Sequence, residues 1–418
     1  MISRQNLHSQ KNLQGDSFYA MDNAGNATQP WTTVERTSKD AANQEKLQKT
    51  LALYAQMTKG LPLLQARLWD IPPFEKNGYE RFLALIETKK EQIPAVPSEL
   101  MQMVWGKCPW DSQAVRAFLE KCENLRSEIA IISQLPSGEY DWYAHDLITP
   151  FLFDATTTRA VMNILVLSAL DAAHNRRPEV ALDWMEVLDR ISGHMSSPEN
   201  VTLSSSIMGN LMRLELLRMA PMVSKLAGPT PAITMRIENL VQHAKLSPKD
   251  IAHYWRGEVV SSSLALPVEN LARNPQALTP LTLSDATNVF RVFFHRKTQE
   301  LEIMQKAQGF GDLITGLEKL AHDDQSREKL SALQQRFFDT YNQNPLRELN
   351  MFINTETQRQ LVRAAIPLVI NDQHPEQIFS NIVATETEPR EMRYDRATRT
   401  LTATPVLGET EPLSLQVP

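Results

Sequence analysis

The chain has 418 residues, 42% of them hydrophobic and 22% charged, with a formal net charge of −6. That is enough apolar material for a core without staples, and at roughly 150 residues per domain it allows two or three domains, or one array that grows by adding helical hairpins. Only 14 glycines stand against 25 prolines, and Lys+Arg 43 against Asp+Glu 49 shows no block of like charge, which disfavours turn-rich β folds, Gly-rich phosphate loops and a nucleic-acid footprint.

Residues 1–37 are polar and aperiodic and read as a flexible tail. Asp40 to Met57 is a first helix, with Leu47, Leu51, Tyr54 and Ala55 on one face and Gly60 beyond its end. Pro62, Pro72 and Pro73 punctuate the next stretch, Tyr79 to Lys90 is a second helix, and Pro94 and Pro97 bracket a turn. Ser112 to Leu135 reads as one longer helix, because Val115, Phe118, Leu119, Cys122, Leu125 and Ile129 follow the 3.6-residue period. An aromatic loop follows with Tyr140, Trp142 and Tyr143.

The clearest unit is a hairpin. Thr157 to His174 is apolar nearly all round, as a central helix is; Asn175-Arg176-Arg177 breaks it, and Pro178 opens the second helix to His194 at the position where a missing N–H costs nothing. Ala169 and Ala181 stand twelve residues apart where the two helices would touch. That spacing resembles tetratricopeptide repeats, with Asn175 or Arg176 in place of the usual turn glycine; a regular array of about 34 residues per repeat is not supported. Further helices are expected over about 200–225, 232–245, 248–265, 284–307, 311–322, 325–341 and 355–370, with Ser247-Pro248 and Asn354-Thr355 as starts and Pro375 opening a short one. Met392-Arg393-Tyr394, a turn over Asp395 to Thr398, and Leu401 to Thr404 read as strand, turn, strand, with Leu413 to Val417 as a third strand.

Candidate chemistry is sparse. Gly309-Phe310-Gly311 and Gly316 approach a Gly-rich phosphate loop, but such a loop follows a strand, and here a helical pattern precedes it. His145-Asp146 and His322-Asp323 match the core of a metal phosphohydrolase pair without the further ligands that chemistry needs. Ser326 to Lys329 matches S-x-x-K without its companion motifs, on a polar helix face. Phe290 to Lys297 mixes aromatic and basic residues. It is read as an amphipathic helix with Phe290, Phe293 and Phe294 buried and Arg296 and Lys297 exposed, the alternative being a surface for an anionic partner or membrane. Glu258 lies four after Tyr254, three after Trp255 and seven after Ile251, beside the buried stripe, and calls for a partner such as Arg213 or Arg218. Cys108 and Cys122 are too few for a disulfide framework or a zinc site, and a continuous helix through both would hold them about 21 Å apart. No catalytic, cofactor-binding or metal residue is assigned, and no cofactor is expected.

The hairpin 160–194 with "PEVALDWMEVLDRI", "LMRLELLRMA" at 211–220, "HYWRGEVV" at 253–260 and "RQLVRAAIPLVINDQHPEQIFSNIV" at 359–383 together resemble a group of uncharacterised helical proteins frequent in planctomycete-type bacterial genomes. The resemblance covers roughly 260 residues and implies a helical body followed by a short β stretch. This chain has Asn371 to Pro375 where the group carries a glycine-containing turn. No activity is known for the group, so it implies no functional residues. Many members look membrane-tethered through an N-terminal helix, which is not visible in Met1 to Pro30.

The expectation is a mainly α protein: an irregular, solenoid-like array of antiparallel hairpins over 38–385 with a small β appendage at 386–418. The expected function is a non-enzymatic scaffold that binds a protein or peptide, with no nucleic-acid partner and no transmembrane segment. The alternative is a helical hydrolase with a dispersed site. The expected compartment is the cytoplasm if Met1 is the native start, and the envelope if a leader or anchor was removed.

Overall fold

The computed structural model describes residues 52, 54–64, 74–138, 154–196, 203–228, 230–265, 283–322, 330–331, 334–335, 345–370, 374–386, 388–404 and 412–418. The tail over 1–37, most of the first helix, the aromatic loop at 140–143 and all but residues 330–331 and 334–335 of the helix expected over 325–341 lie outside them. The described elements are mainly helical, with a three-stranded antiparallel sheet at the C-terminal end.

The first helices are short. They are α1 (Gly78–Lys89), α2 (Ser98–Val104), α3 (Ser112–Lys121) and α4 (Glu123–Ile132). Helix α2 was not expected: it begins at Ser98, directly after the turn that Pro94 and Pro97 bracket, and buries Leu100, Met101 and Val104. The expected single helix over 112–135 is two, bent at Cys122, whose φ of −102° and ψ of 7° leave the α region. No breaker residue stands there. The two halves instead pack on different partners, α3 on the first helix of the central hairpin and α4 on α1 and the hairpin's second helix, so tertiary packing bends a continuous apolar stripe. Cys108 and Cys122 are both free thiols.

The central hairpin is α5 (Ala155–His174) and α6 (Pro178–Ser196). Asp154 caps α5, accepting from the N–H groups of Thr156 and Thr157 at 3.0 Å, and so starts it two residues before the expected Thr157. At the hairpin turn the Arg176 N–H reaches the Ala173 carbonyl and the Arg177 N–H the Ala172 carbonyl. This is the Schellman arrangement that normally takes glycine, yet Arg176 adopts the left-handed conformation at φ 55°. Ala169 and Ala181 are both fully buried.

Helices α7 (Leu203–Ala227), α8 (Pro231–His243), α9 (Pro248–Ala265), α10 (Leu283–Lys306), α11 (Phe310–His322), α12 (Pro345–Ile370) and α13 (Pro375–Thr385) complete the body. Helix α7 packs on α5, α6 and α12 at once, so the array is drawn together around it as well as along sequence neighbours. Helix α12 starts ten residues before the expected Thr355. The Thr355 hydroxyl does not cap; it donates back to the Met351 carbonyl at 3.0 Å and accepts from Asn210 Nδ2 of α7 at 2.7 Å.

The sheet, β1 (Met392–Asp395), β2 (Thr400–Ala403) and β3 (Leu413–Gln416), pairs in that order with Met392 opposite Ala403 and Leu401 opposite Leu415. The Asp395 carboxylate closes the first turn by accepting from the Ala397 N–H at 2.8 Å. Met392, Leu401, Ala403 and Val417 form a small core with Leu361, Ala364, Ala365 and Leu368 of α12. No described helix is long and apolar enough to cross a membrane.

Candidate functional site

Two of the segments that looked like chemistry in the sequence, Gly309 to Gly311 and Phe290 to Lys297, are engaged by the chain itself. Gly309 to Gly311 forms the N-terminus of α11, and its anion is supplied by the chain: the Phe310 and Gly311 N–H groups donate to the Glu388 carboxylate at 2.6 and 2.9 Å. A Cβ on Gly309 would lie 2.1 Å from that carboxyl carbon. The glycine signal therefore reports close approach of an anion at a helix N-terminus, and the anion is Glu388. Gly316 abuts Ile303 of α10 instead.

Arg296 and Lys297 correct the reading of the aromatic–basic segment. Phe290, Phe293 and Phe294 are buried as expected, but so are Arg296 and Lys297, at 6% and 2% exposure. Both pair with Glu300, Lys297 Nζ at 2.9 Å and Arg296 Nε at 3.3 Å, and Trp255 Nε1 donates to the same carboxylate at 2.8 Å. The Lys297 ammonium also lies over the Trp255 and Phe293 rings. Burial holds the Lys297 pKa below the ordinary lysine value, and Glu300 opposes that shift. A single-helix projection could not show this, because α9 and α11 cover the face that would otherwise meet water.

Glu258 is half-buried, while the expected partners bond elsewhere: Arg213 donates to the Tyr254 hydroxyl at 3.0 Å and Arg218 pairs with Glu215. Two other carboxylates, Glu356 and Glu386, are buried more deeply than Glu258. Arg359, fully buried, bonds Glu356 at 2.5 Å and Glu386 at 2.6 Å, and Glu356 also accepts the Leu246 N–H. Burial raises the Glu386 pKa, but Arg359 and Arg363 outweigh it and hold the carboxyl below its ordinary value. This network ties the turn before α9 to α12 and to the segment between α13 and β1. His322 is exposed. His145-Asp146, Asp323 and Ser326 to Lys329 lie outside the described residues. Among the described residues no group of three or more His, Cys, Asp or Glu is placed to hold a metal ion.

One polar cleft was not legible in the sequence. It measures about 450 Å³ and is lined by Ser133, Gln134, Leu135 and Ser137 after α4, Asp189, Arg190, Gly193 and His194 of α6, Arg213 of α7 and His243 of α8. That volume lies in the ordinary range for small-ligand sites. A Cβ on Gly193 would meet nothing within 4 Å, so the α6 wall is open at its middle. His243 Nδ1 lies 3.3 Å from the Asp189 carboxylate, which holds the imidazole pKa above its ordinary value. Arg190 is paired with Glu186, whereas the Arg213 guanidinium bonds a neutral phenol.

His194 is the buried centre of this wall, 3% exposed. Its Nε2 lies 3.2 Å from the Ile132 carbonyl oxygen and its Nδ1 3.0 Å from Ser137 Oγ. A carbonyl only accepts, so Nε2 carries the hydrogen and Nδ1 accepts from the Ser137 hydroxyl. Burial, with Arg190 nearby, lowers the His194 pKa, and the Ile132 bond opposes that shift; the ring is neutral at pH 7. The turn is held from its other side by α1: the Gly78 N–H donates to the Pro136 carbonyl at 3.0 Å, and a Cβ on Gly78 would lie 2.5 Å from the His194 ring. Sequence periodicity could not find this site, because Ser137, His194, Arg213 and His243 come from four segments far apart in the chain. No protein-family model matches the chain, and no curated protein and no solved structure matches it either.

Proposed function

We propose that the chain is a helical binding scaffold whose polar cleft takes a small molecule bearing a carboxylate or phosphate group. The carrying observation is the convergence of Arg190, Arg213 and His243 on a cleft in which Asp189 is the one lining carboxylate among the described residues, with Arg213 bonded to the Tyr254 hydroxyl. A guanidinium in that state has donors suited to an anionic group. A protein partner bound through an apolar groove has less support: the well-exposed large apolar side chains among the described residues, Trp105, Met235 and Val383, lie on three separate elements. The segments that carry the planctomycete-type resemblance lie mainly on α5, α6, α7, α9, α12 and α13, so under this reading the shared feature is the framework around the cleft.

The test is a thermal shift titration with succinate and with inorganic phosphate at low ionic strength. A ligand that binds the native state raises its melting temperature by mass action. At least one of the two is expected to do so, and Arg213→Ala to abolish the shift. Gly193→Leu fills the open wall and is expected to abolish it too, while replacing helical glycine with a better helix former. Absence of any shift in the wild type, or a shift untouched by both variants, overturns the reading.

A further inference from the structure

We propose that Ser137 and His194 form a hydrolytic dyad, with Ser137 Oγ the nucleophile and His194 Nδ1 its general base, acting on carboxylic esters that carry a second, anionic group. The inference rests on the cleft being the ligand site and adds a reaction to it.

Three observations converge. The first is direction: Ser137 Oγ lies 3.0 Å from the one ring nitrogen left without hydrogen by the Ile132 carbonyl, which is the hydrogen bond a base needs to its nucleophile. The second is access: Ser137 is exposed on the cleft while the imidazole behind it is 3% exposed, so the reacting hydroxyl meets ligand and the base is shielded from water. The third is rigidity: the turn holding Ser137 is fixed by the Gly78 N–H to the Pro136 carbonyl, and Gly78 leaves no room for a Cβ against the His194 ring. The Ile132 carbonyl takes the orienting place that a carboxylate fills in a triad. It selects the tautomer, and it keeps its bond to Nε2–H when the ring becomes an imidazolium.

The step balances without any further reagent. Ser137 Oγ bonds to the ester carbonyl carbon as its proton passes to His194 Nδ1, and Arg213 faces the same cleft as a counter-charge for the substrate's second acidic group. The imidazolium returns that proton to the leaving alcohol oxygen as the C–O bond breaks, leaving an acyl-Ser137 ester. Water then adds to the acyl carbon, giving its proton to Nδ1. The proton goes back to Ser137 Oγ as the acid leaves. Ester and water become acid and alcohol.

The experiment treats the full chain with a fluorophosphonate and maps adducts by mass spectrometry, alongside hydrolysis of mono-4-nitrophenyl succinate. A single adduct at Ser137 and release of nitrophenol are expected. Ser137→Ala, an exposed position safe for folding, removes both. His194→Gln lowers the rate of labelling at least ~100-fold, the lower range for loss of a general base; circular dichroism shows whether that variant is folded. If it is not, labelling of the folded wild type decides alone. No adduct at Ser137, an adduct elsewhere only, or labelling indifferent to a folded His194→Gln overturns the dyad and leaves Ser137–His194 as a clamp on the turn. A succinate thermal shift without a Ser137 adduct sinks the dyad but spares the binding reading; an adduct without any anion shift does the reverse.

Discussion

Ser192 on α6 donates its hydroxyl hydrogen to the Gly209 carbonyl on α7 at 2.8 Å, where a Cβ on Gly209 would lie 2.8 Å from the Ser192 carbonyl oxygen. The crossing is backbone against backbone, so neither side can yield by turning a side chain. Gly209→Ala therefore combines a helix-propensity gain of up to ~1 kcal/mol with an overpacking cost of ~1–3 kcal/mol. A net fall in the denaturant midpoint is expected. A variant that melts above wild type shows slack at this crossing.

The hairpin offers two changes of opposite sign. Arg176 is exposed and holds φ 55° at a turn position that favours glycine, so Arg176→Gly removes a left-handed penalty of ~1–2 kcal/mol, less the added freedom of glycine in the unfolded chain. A small gain in stability is expected. Ala169→Leu, at a fully buried position, is expected to lose ~1–3 kcal/mol by overpacking. Chemical denaturation of both variants checks the pair; equal midpoints for the two would contradict this account of the turn and the core.

Glu300 compensates Lys297 and Arg296 in the core between α9 and α10. Glu300→Ala leaves buried charge without its counter-ion, and a loss on the order of 3–5 kcal/mol is expected. Replacing Lys297 by Met in the same chain should recover part of that loss, because the uncompensated ammonium is then gone. Additivity of the two changes in a double-mutant cycle would mean that the pair is not coupled.

Glu388 supplies the anion at the start of α11. Glu388→Gln keeps the shape and removes the charge, with an expected cost of ~0.5–2 kcal/mol from the helix dipole and the charged hydrogen bonds. The cost should shrink in high salt, since the site is partly open to solvent. A cost independent of salt would point to lost shape rather than lost charge.

His194 sets an acid limit. Its folded pKa lies below the ordinary 6.5 because burial disfavours the charged ring, so its contribution to stability is full above about pH 6.5 and is lost as pH falls from there through the folded value. His243 works in the opposite sense: Asp189 raises its pKa, and its contribution is present below about pH 6.5 and lost as pH rises through the folded value. Melting temperatures from pH 8 to pH 5 should therefore fall less steeply in His194→Gln and more steeply in His243→Gln than in wild type.

Most of the described helix positions (α2 excepted), the hairpin with its Pro178 start and the three closing strands were legible in the sequence, because each depends on local periodicity, turn chemistry or capping within a few residues. The same local signals misread the bend at Cys122 and the start of α12: α3 and α4 face different partners, and the Thr355 hydroxyl is engaged by Asn210 of α7. They also exposed Arg296 and Lys297, since one helix shows its polar residues but not the neighbour that covers them. The scarcity of glycine and the even charge balance disfavoured Gly-rich phosphate loops and a nucleic-acid footprint from composition alone. The cleft belonged to the tertiary structure entirely. Ser137, His194, Arg213 and His243 are unremarkable in their own segments, and they meet only because packing of α4, α6, α7 and α8 sets a hydroxyl, a tautomer-locked imidazole and a guanidinium around one space.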